Sequence, residues 1–436
     1  MASSNGSPDP HSGMSRRSRM RPSHVVRTHI IPTAAAFMRT EAAGGIVLLV
    51  AVAVALVWAN SPWSDAYFDL WHEEVTFGFA DFSFETDLHH IVNDGLMTIF
   101  FYVVGLEIKR ELIEGELKQP RQALLPVAGA FGGMALPALL YVSLNAGGEG
   151  ADGWGIPVAT DIAMAVGVMA LLGPRVPAGI KIFLLALAIV DDLGGILIIA
   201  LFYSSGLSFI ALAVGVALVG AIILLRALQV RFMPLYAVLA VAFWLAILES
   251  GIHATIAGVV LAFLTSAGSH EEQGEAMLDR MERFLHPWAS FVVVPIFALA
   301  NGGIEITSDA IDAAVNGEVA LGVTLGLVVG KPVGILAASF LVVVTGLASL
   351  PASANWRQVA GAGMLGGIGF TVSIFIAGLA FEAGTIVDEA KMGILAASLA
   401  AGVLGYLWLR LCCPLPSAVP DLEMVREPEA TVTEGP

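Results

Sequence analysis

The sequence Ala186-Leu-Ala-Ile-Val-Asp191-Asp192-Leu-Gly-Gly195 places two adjacent carboxylates inside an apolar run that extends from Leu184 to Tyr203. A charge at the depth of a lipid bilayer costs at least about 2.5–3.5 kcal/mol, so it indicates a functional site. Because adjacent helical positions differ by about 100° in direction, one carboxylate can face a water-filled funnel while the other faces a neighbouring helix. The alternative is a helix break with a solvated acidic loop. It fits poorly, because the run has no proline and no flanking polar cluster.

The composition of the whole chain is that of a membrane protein. Of its 436 residues, 57% are hydrophobic and only 13% are charged, whereas a soluble domain has about 25% charged residues. The mean hydropathy is +0.82. Two adjacent cysteines, Cys412 and Cys413, are too few for a disulfide framework. The net charge of −16 gives no reason to expect a nucleic-acid partner. The apolar composition makes membrane lipid the expected surrounding.

The sequence predicts an all-α polytopic membrane protein with twelve transmembrane helices, since apolar runs of about 20 residues cross a hydrocarbon core. Some runs abut so closely that hydropathy alone would also allow eleven or thirteen, and the positions of Lys and Arg favour twelve. The predicted spans are 43–60, 90–112, 123–145, 154–172, 178–203, 207–228, 232–249, 251–266, 287–303, 318–347, 357–381 and 389–411. With a cytoplasmic N-terminus, every Lys and Arg lies on the cytoplasmic side except Lys331, within a span, and Lys391, outside. We therefore expect a basic cytoplasmic N-terminal arm at 1–32, a transmembrane domain at 33–412 and an acidic cytoplasmic tail at 413–436.

The longest outer connection contains a pattern typical of a small extracytoplasmic β-hairpin. Phe77 and Phe79, then Phe82 and Phe84, alternate around Ala80-Asp81. An exposed hairpin edge invites pairing with another copy, which predicts a homodimer through the 72–87 hairpin. The alternative is a hairpin that lies flat on its own helices.

The tenth predicted span contains a lysine, in the sequence Val328-Val-Gly-Lys331-Pro332. A buried ammonium needs a carboxylate partner. Asp191 is the first candidate and Asp192 the alternative. A lysine that extends its ammonium to one membrane face is the other possibility.

Two predicted spans have sequences typical of interrupted helices. The fourth contains Pro157 before Thr160-Asp161, and the eleventh contains the glycine-rich run 361–369. Interrupted helices in corresponding halves predict inverted-topology repeats with an ion site near the membrane midplane, spans three to five mirroring spans ten to twelve. Asp161 would then compensate the partial positive charge of the facing helix N-termini, and Lys331 the partial negative charge of the opposed C-termini. Alternatively, the glycines only allow close helix packing.

Acidic and basic residues also cluster at the cytoplasmic ends of the predicted second and ninth spans. Glu107, Arg110 and Glu111 lie at the end of the second span, and Glu282 with Arg283 precedes the ninth. Such groups at one funnel mouth predict a titrating network. The alternative is an ordinary solvated helix end.

Six strings of the sequence resemble the NhaA-type sodium/proton antiporters of bacteria, and the resemblance extends over roughly residues 35–410. These strings are Ala159-Thr-Asp-Ile-Ala163, Lys181-Ile-Phe-Leu-Leu-Ala-Leu-Ala-Ile-Val-Asp-Asp-Leu-Gly194, Ser250-Gly-Ile-His-Ala-Thr-Ile-Ala-Gly258, Leu285-His-Pro-Trp288, Gly330-Lys-Pro332 and Leu365-Gly-Gly-Ile-Gly-Phe-Thr371. The resemblance implies twelve helices in inverted repeats, with the fourth and eleventh helices interrupted and crossed. It also implies electrogenic exchange that is activated at alkaline pH.

The resemblance assigns roles to residues of the matching strings. Asp191 and Asp192 are the implied ion- and proton-binding pair, with Asp192 central to sodium and Lys331 paired to Asp191. Thr160 and Asp161 lie at the helix crossing. The implied pH-responsive group comprises Glu107, Arg110, Glu111, Glu282 and His253, and His286 also falls in a matching string. Arg283 stands where the family commonly has a histidine, so the pH set point is expected to differ.

We therefore expect a secondary transporter in the bacterial inner membrane, not an enzyme, that exchanges cytoplasmic sodium or lithium for external protons without a cofactor. Carboxylate, hydroxyl and carbonyl oxygens suit a hard cation, and protonation of the carboxylates would release it. The alternative function is a sodium-coupled symporter of organic solutes, which needs a roomier polar cavity. An intramembrane aspartyl protease needs carboxylates on two separate helices, whereas Asp191 and Asp192 are adjacent on one.

Overall fold

The computed structural model describes residues 27–414 apart from 80–81, 205, 231, 269–275, 352 and 382–383, with side chains from Thr40 onward except 77–85, 309 and 313. The chain divides into two compact units, Met1–Phe37 and Met38–Pro436. In the first unit, the described part is helical backbone from Arg27. Most of the predicted arm 1–32 and tail 413–436 lies outside the described residues.

Long apolar helices dominate the second unit. Within the described ranges, nine are long and apolar enough to cross a bilayer, and one bent pair is a tenth candidate. The nine are α1 (Arg27–Ala59, apolar from Thr40), α3 (Leu88–Ile113), α4 (Pro120–Asn145), the segment Ala151–Leu171 that ends in α5 (Ile162–Leu171), α6 (Ala178–Phe202), α7 (Phe209–Ala227), α10 (Met277–Asn301), α12 (Glu318–Val344) and α15 (Thr385–Cys412). The bent pair is α13 (Trp356–Gly366) and α14 (Phe370–Ala380), and the shorter apolar helices are α8 (Met233–Leu248) and α9 (Thr255–Leu264). The protein is thus an all-α polytopic membrane protein.

Two short α-helices, a hairpin and the 3₁₀ turns Glu116–Lys118 and Gly173–Arg175 lie between the long helices. The helices are α2 (Ser64–His72) and α11 (Ser308–Asn316). Strands β1 (Glu74–Phe79) and β2 (Phe82–Asp87) pair antiparallel, with Phe77 opposite Phe84 and Phe79 opposite Phe82. The turn at 80–81 lies outside the described residues. On α2, the Tyr67 hydroxyl donates a hydrogen bond to the carbonyl of Leu299 at 2.6 Å. Burial of Tyr67 raises its pKa to about 12.

Two segments are interrupted at half their length. The first is a 3₁₀ segment, Ala151–Val158, followed by extended backbone and then α5, which Asp161 caps by accepting from the Met164 N–H at 2.9 Å. The second is the α13–α14 pair, which bends by 44°. Pro157 favours the first break because it lacks an N–H donor, and the glycines between α13 and α14 favour the second.

The helices that precede the two interrupted segments, α4 and α12, pack closely against each other. A Cβ added at Gly132 of α4 would collide with the Gly334 carbonyl of α12, and one added at Gly334 would collide with the Gly132 carbonyl. Glycine at both positions therefore lets the two backbones touch, as small residues do between membrane helices. This contact places Lys331 beside α4. Its Cγ atom lies 3.7 Å from the position that a Cβ added at Gly133 would take.

The start of α10 differs from the sequence prediction, which began the ninth span at residue 287. The helix begins at Met277, so Glu282 lies inside it rather than before it. Its first three turns are amphipathic and bury Leu278, Glu282 and His286 at a spacing of four residues. Hydropathy misses them because the opposite face is polar. Beyond Pro287 the helix continues through a π-helical turn, Ala289–Val293.

Candidate functional site

The two adjacent aspartates of α6 are buried, Asp191 at 0% and Asp192 at 4% exposure. Asp191 Oδ2 lies 2.9 Å from Lys331 Nζ of α12 and accepts a hydrogen bond from Thr160 Oγ1 at 2.6 Å. Lys331, itself 0% exposed, also donates to the Val158 carbonyl. The structure thus pairs Lys331 with Asp191 rather than Asp192.

Three of the four helix ends at the interruptions meet a charged group of the opposite sign, and the fourth meets a hydroxyl. Asp161 accepts from Met164 N at the start of α5, and from Thr371 N and Oγ1 at the start of α14, at 3.1 and 2.8 Å. Its carboxylate therefore lies between two helix N-termini, where negative charge is stabilised. At the opposed C-terminal ends, Lys331 meets Val158 O, and Thr160 Oγ1 lies 2.8 Å from Gly366 O.

Asp192 faces a cavity of ≈ 40 Å³, large enough for roughly three water molecules. Asp161, Thr160 and Thr371 line the same cavity. Among the described residues, Oδ1 of both Asp191 and Asp192 is buried without a hydrogen-bond partner. A buried carboxylate oxygen in that state needs a proton, a cation or water, since its desolvation is otherwise uncompensated.

A second polar cluster lines the same cavity. His286 Nε2 of α10 lies 2.8 Å from Glu41 Oε1 of α1 and 3.4 Å from Glu107 Oε1 of α3. Ser290 Oγ donates to Glu41 Oε1 at 3.1 Å. We call Glu41, Glu107, His286 and Ser290 the Glu41 cluster.

The residues predicted for the pH response do not form one group. Arg110 is ion-paired with Glu282, four residues before His286 on α10. Glu111 accepts instead from the Glu116 backbone N–H at 2.7 Å. His253 lies 3.5 Å from Asp94 and 2.9 Å from Thr255. Asp94 is 13 residues before Glu107 on α3, about 20 Å along the helix at 1.5 Å per residue.

Glu41, Ser290 and Thr371 are site residues for which the sequence reasoning assigned no role. Glu41 had one usable signal, because it is an acid at the edge of the first apolar run. In the fold it is only 6% exposed. Ser290 and Thr371 are ordinary in composition, and only the tertiary structure shows their contacts. No group of three or more His, Cys, Asp or Glu residues suited to a resident metal occurs within the described part of the chain.

Comparison with known proteins was consistent over nearly the whole membrane part. A family model described as "Na+/H+ antiporter 1" matches residues 35–409. A "Na(+)/H(+) antiporter NhaA 2" of Sorangium cellulosum is 44% identical over 86% of this chain and 89% of its own length. A "Na(+)/H(+) antiporter NhaA" of Shewanella amazonensis is 46% identical, covering 87% of this chain and 97% of the relative. A "Na(+)/H(+) antiporter NhaA 1" of Clostridium beijerinckii is 45% identical over 85% and 92%. These matches give no support to the symporter alternative.

Proposed function

The chain belongs to the Na+/H+ antiporter 1 family, a family of secondary transporters, and on that premise we propose that Asp192 is the group at which sodium and protons compete. The protein exchanges sodium for protons and is not an enzyme. The observation that carries the proposal is the placement of Asp192, which is buried, lines the cavity and has an unpartnered Oδ1.

The surrounding oxygens suit a small hard cation. Asp192 supplies a carboxylate, Asp191 a second unpartnered oxygen, and Thr160 a hydroxyl. A proton on Asp192 removes the charge that holds the ion, so one site binds sodium (or lithium) or a proton, but not both. Beside this site, Asp161 compensates the partial positive charge of the helix N-termini, and Lys331 compensates the partial negative charge of the C-termini.

We propose that the exchange is electrogenic. The Asp191–Lys331 pair is the second group that changes its proton occupancy when the ion leaves, in addition to Asp192. Two protons then move against one monovalent ion, and the membrane potential drives the cycle at about 2.3 kcal/mol per charge per 100 mV.

The architecture we propose has twelve spans in inverted repeats. The short helices α8 and α9 would add two spans to the ten candidates. Two sets of three consecutive segments share the same pattern of a long, an interrupted and a long segment, as such repeats require. The first set is α4, Ala151–Leu171 and α6. The second set is α12, the α13–α14 pair and α15. The distribution of Lys and Arg supports cytoplasmic termini in a bacterial inner membrane.

We propose a homodimer through the 72–87 hairpin. The two-stranded sheet leaves the outer edges of β1 and β2 without strand partners among the described residues, and such edges pair with other chains. We also propose that Glu107, Arg110, Glu111, Glu282 and His253 regulate exchange by pH, His253 acting from its separate position beside Asp94.

The test of the exchange site is Asp192→Asn in proteoliposomes. We expect sodium-driven proton movement to fall by at least about 100-fold, since the amide cannot replace the carboxylate charge. Asp69→Asn, the same change at an exposed position of α2, is the matched control and should retain exchange. For the unmodified protein, sodium affinity should fall by up to about a hundredfold per pH unit on the acid side, because binding of one ion then displaces two protons. Wild-type exchange in the Asn variant would rule out the site.

A further inference from the structure

Two short helices, α2 and α11, lie at the membrane surface on the same side as the hairpin. The helix α2 follows the end of α1, and α11 lies between the end of α10 and the start of α12. The side chain of Asn60, just after α1, donates to the Ile304 carbonyl at 2.8 Å and accepts from the Ile306 N–H at 2.6 Å. These two bonds hold the connection into α11 against the end of α1, so both short helices occupy the boundary where the long helices end.

The helix α11 exposes an apolar edge next to a polar one. Ile311 and Val315 are 48% and 68% exposed and are about one turn apart, so their side chains are neighbours on one edge. Asp312 and Asn316, each one position further along, are also exposed and are joined by a hydrogen bond of 2.8 Å. One position along a helix turns by about 100°, so the exposed face of α11 divides into an apolar half and a polar half.

The helix α2 has the same two-sided character. Trp63 and Leu70 are 73% and 40% exposed and stand about two turns apart, which places them on one edge. Asp65 and Asp69 are exposed on another edge. Tyr67 is 1% exposed and ties the remaining side of α2 to α10 through its hydroxyl. Within the described part of the chain, each short helix thus has one side against protein and both an apolar and a polar edge exposed.

We propose that α2 and α11 lie in the plane of the bilayer surface and bury these apolar edges among zwitterionic phospholipids. Helices of this kind place their apolar side about 5–10 Å into the boundary between headgroups and acyl chains, and tryptophan is enriched at that boundary. The adjoining spans expose apolar residues close by in the chain, Val57 at 71% in the last turn of α1 and Leu321 at 43% in the first turn of α12. Lipid therefore reaches both helices along the spans that lead to them. This contact is independent of the exchange reaction.

The charges of the two helices indicate the class of lipid. Neither helix contains Lys or Arg, whereas each contains two aspartates, Asp65 and Asp69 in α2 and Asp309 and Asp312 in α11. Basic segments attract anionic lipids to a membrane protein, so acidic helices favour headgroups without net charge. A zwitterionic headgroup also offers a cationic ammonium group to the exposed aspartates.

Nitroxide labels at adjacent positions test the proposal in the full chain, reconstituted in phosphatidylcholine vesicles. In a Cys412→Ser/Cys413→Ser background, a label at Ile311→Cys should be accessible to oxygen and lie about 5–10 Å below the phosphates. A label at Asp312→Cys is the matched control and should instead be accessible to a water-soluble nickel chelate.

The same comparison on α2 uses Leu70→Cys and its neighbour Asp69→Cys. Equal accessibility of both labels of a pair to the nickel chelate would overturn the proposal. A label at the apolar position that neither reagent reaches would also overturn it, since a second copy of the chain then covers the edge. Adding phosphatidylglycerol should leave the depth of the Ile311→Cys label unchanged, because α11 has no basic residue, and a deeper label would refute the choice of zwitterionic lipid.

A measurement without labels covers the case in which the cysteine variants do not fold. In vesicles of brominated phosphatidylcholine, bromine atoms near the headgroups should quench Trp63, because its ring lies at that boundary. Trp63→Phe should therefore lower the quenched share of the tryptophan emission. Trp71→Phe, which removes a buried ring of the same helix, is the control and should not lower it. An equal quenched share in wild type and Trp63→Phe would contradict insertion of α2 into lipid.

Discussion

Two neighbouring carboxylates have different surroundings because they point in directions about 100° apart on one helix. Asp191 faces Lys331 and Thr160, whereas Asp192 lines the cavity. The sequence restricted the partner of Lys331 to these two aspartates. It could not decide between them, because the choice depends on which side of α6 faces Lys331 in the fold.

Lys331→Ala should destabilise the protein by about 3–5 kcal/mol, since it leaves Asp191 as a buried charge without its partner. Both side chains are 0% exposed, so solvent does not screen the pair. Thermal unfolding in detergent measures the effect, and Lys118→Ala, at an exposed position, should change little. The Lys331→Ala/Asp191→Asn double variant should lose less stability than the sum of the single variants. Strict additivity would mean that the two groups do not interact.

At the level of helices, sequence patterns predicted the features that depend only on residues close together in the chain. Pro157 and the glycines at 366–369 indicated the two interruptions, because proline and glycine act on the backbone where they stand. The amphipathic start of α10 was missed, since burial of Glu282 and His286 depends on partners from α1 and α3. Glu41 was missed for the same reason: an acid at a span edge looks solvated until His286 is placed beside it.

The crossing of α4 and α12 should be intolerant of any added atom. A Cβ at Gly334 would meet the backbone of Gly132, which cannot rotate away as a side chain can. We expect Gly334→Ala to lower stability by about 1–3 kcal/mol through overpacking, and to weaken exchange because Lys331 lies one turn away. Gly220→Ala on α7 has nothing within 4 Å of the new Cβ and should be neutral or slightly stabilising. Equal melting temperatures for the two variants would contradict this account of the crossing.

At the scale of the whole molecule, buried charges are balanced across two interrupted segments that come from distant parts of the chain. Asp161 precedes α5 and accepts from the start of α14, while Lys331 of α12 meets the end of the 3₁₀ segment. Each half therefore contributes the charge that stabilises the helix ends of the other. Movement of one half against the other would change these contacts together, which suits alternating exposure of a central site.

The proposed exchange of two protons per ion predicts that net charge moves across the whole molecule in each cycle. In proteoliposomes with a potassium gradient and valinomycin, at equal pH on both sides, a potential of about 60 mV should balance a tenfold sodium gradient. A tenfold gradient is worth about 1.4 kcal/mol, and one net charge gains about 2.3 kcal/mol per 100 mV. Asp192→Asn vesicles provide the baseline for leak. Sodium flux that is indifferent to the imposed potential would show that one proton is exchanged per ion, and the Asp191–Lys331 pair would then keep its proton throughout the cycle.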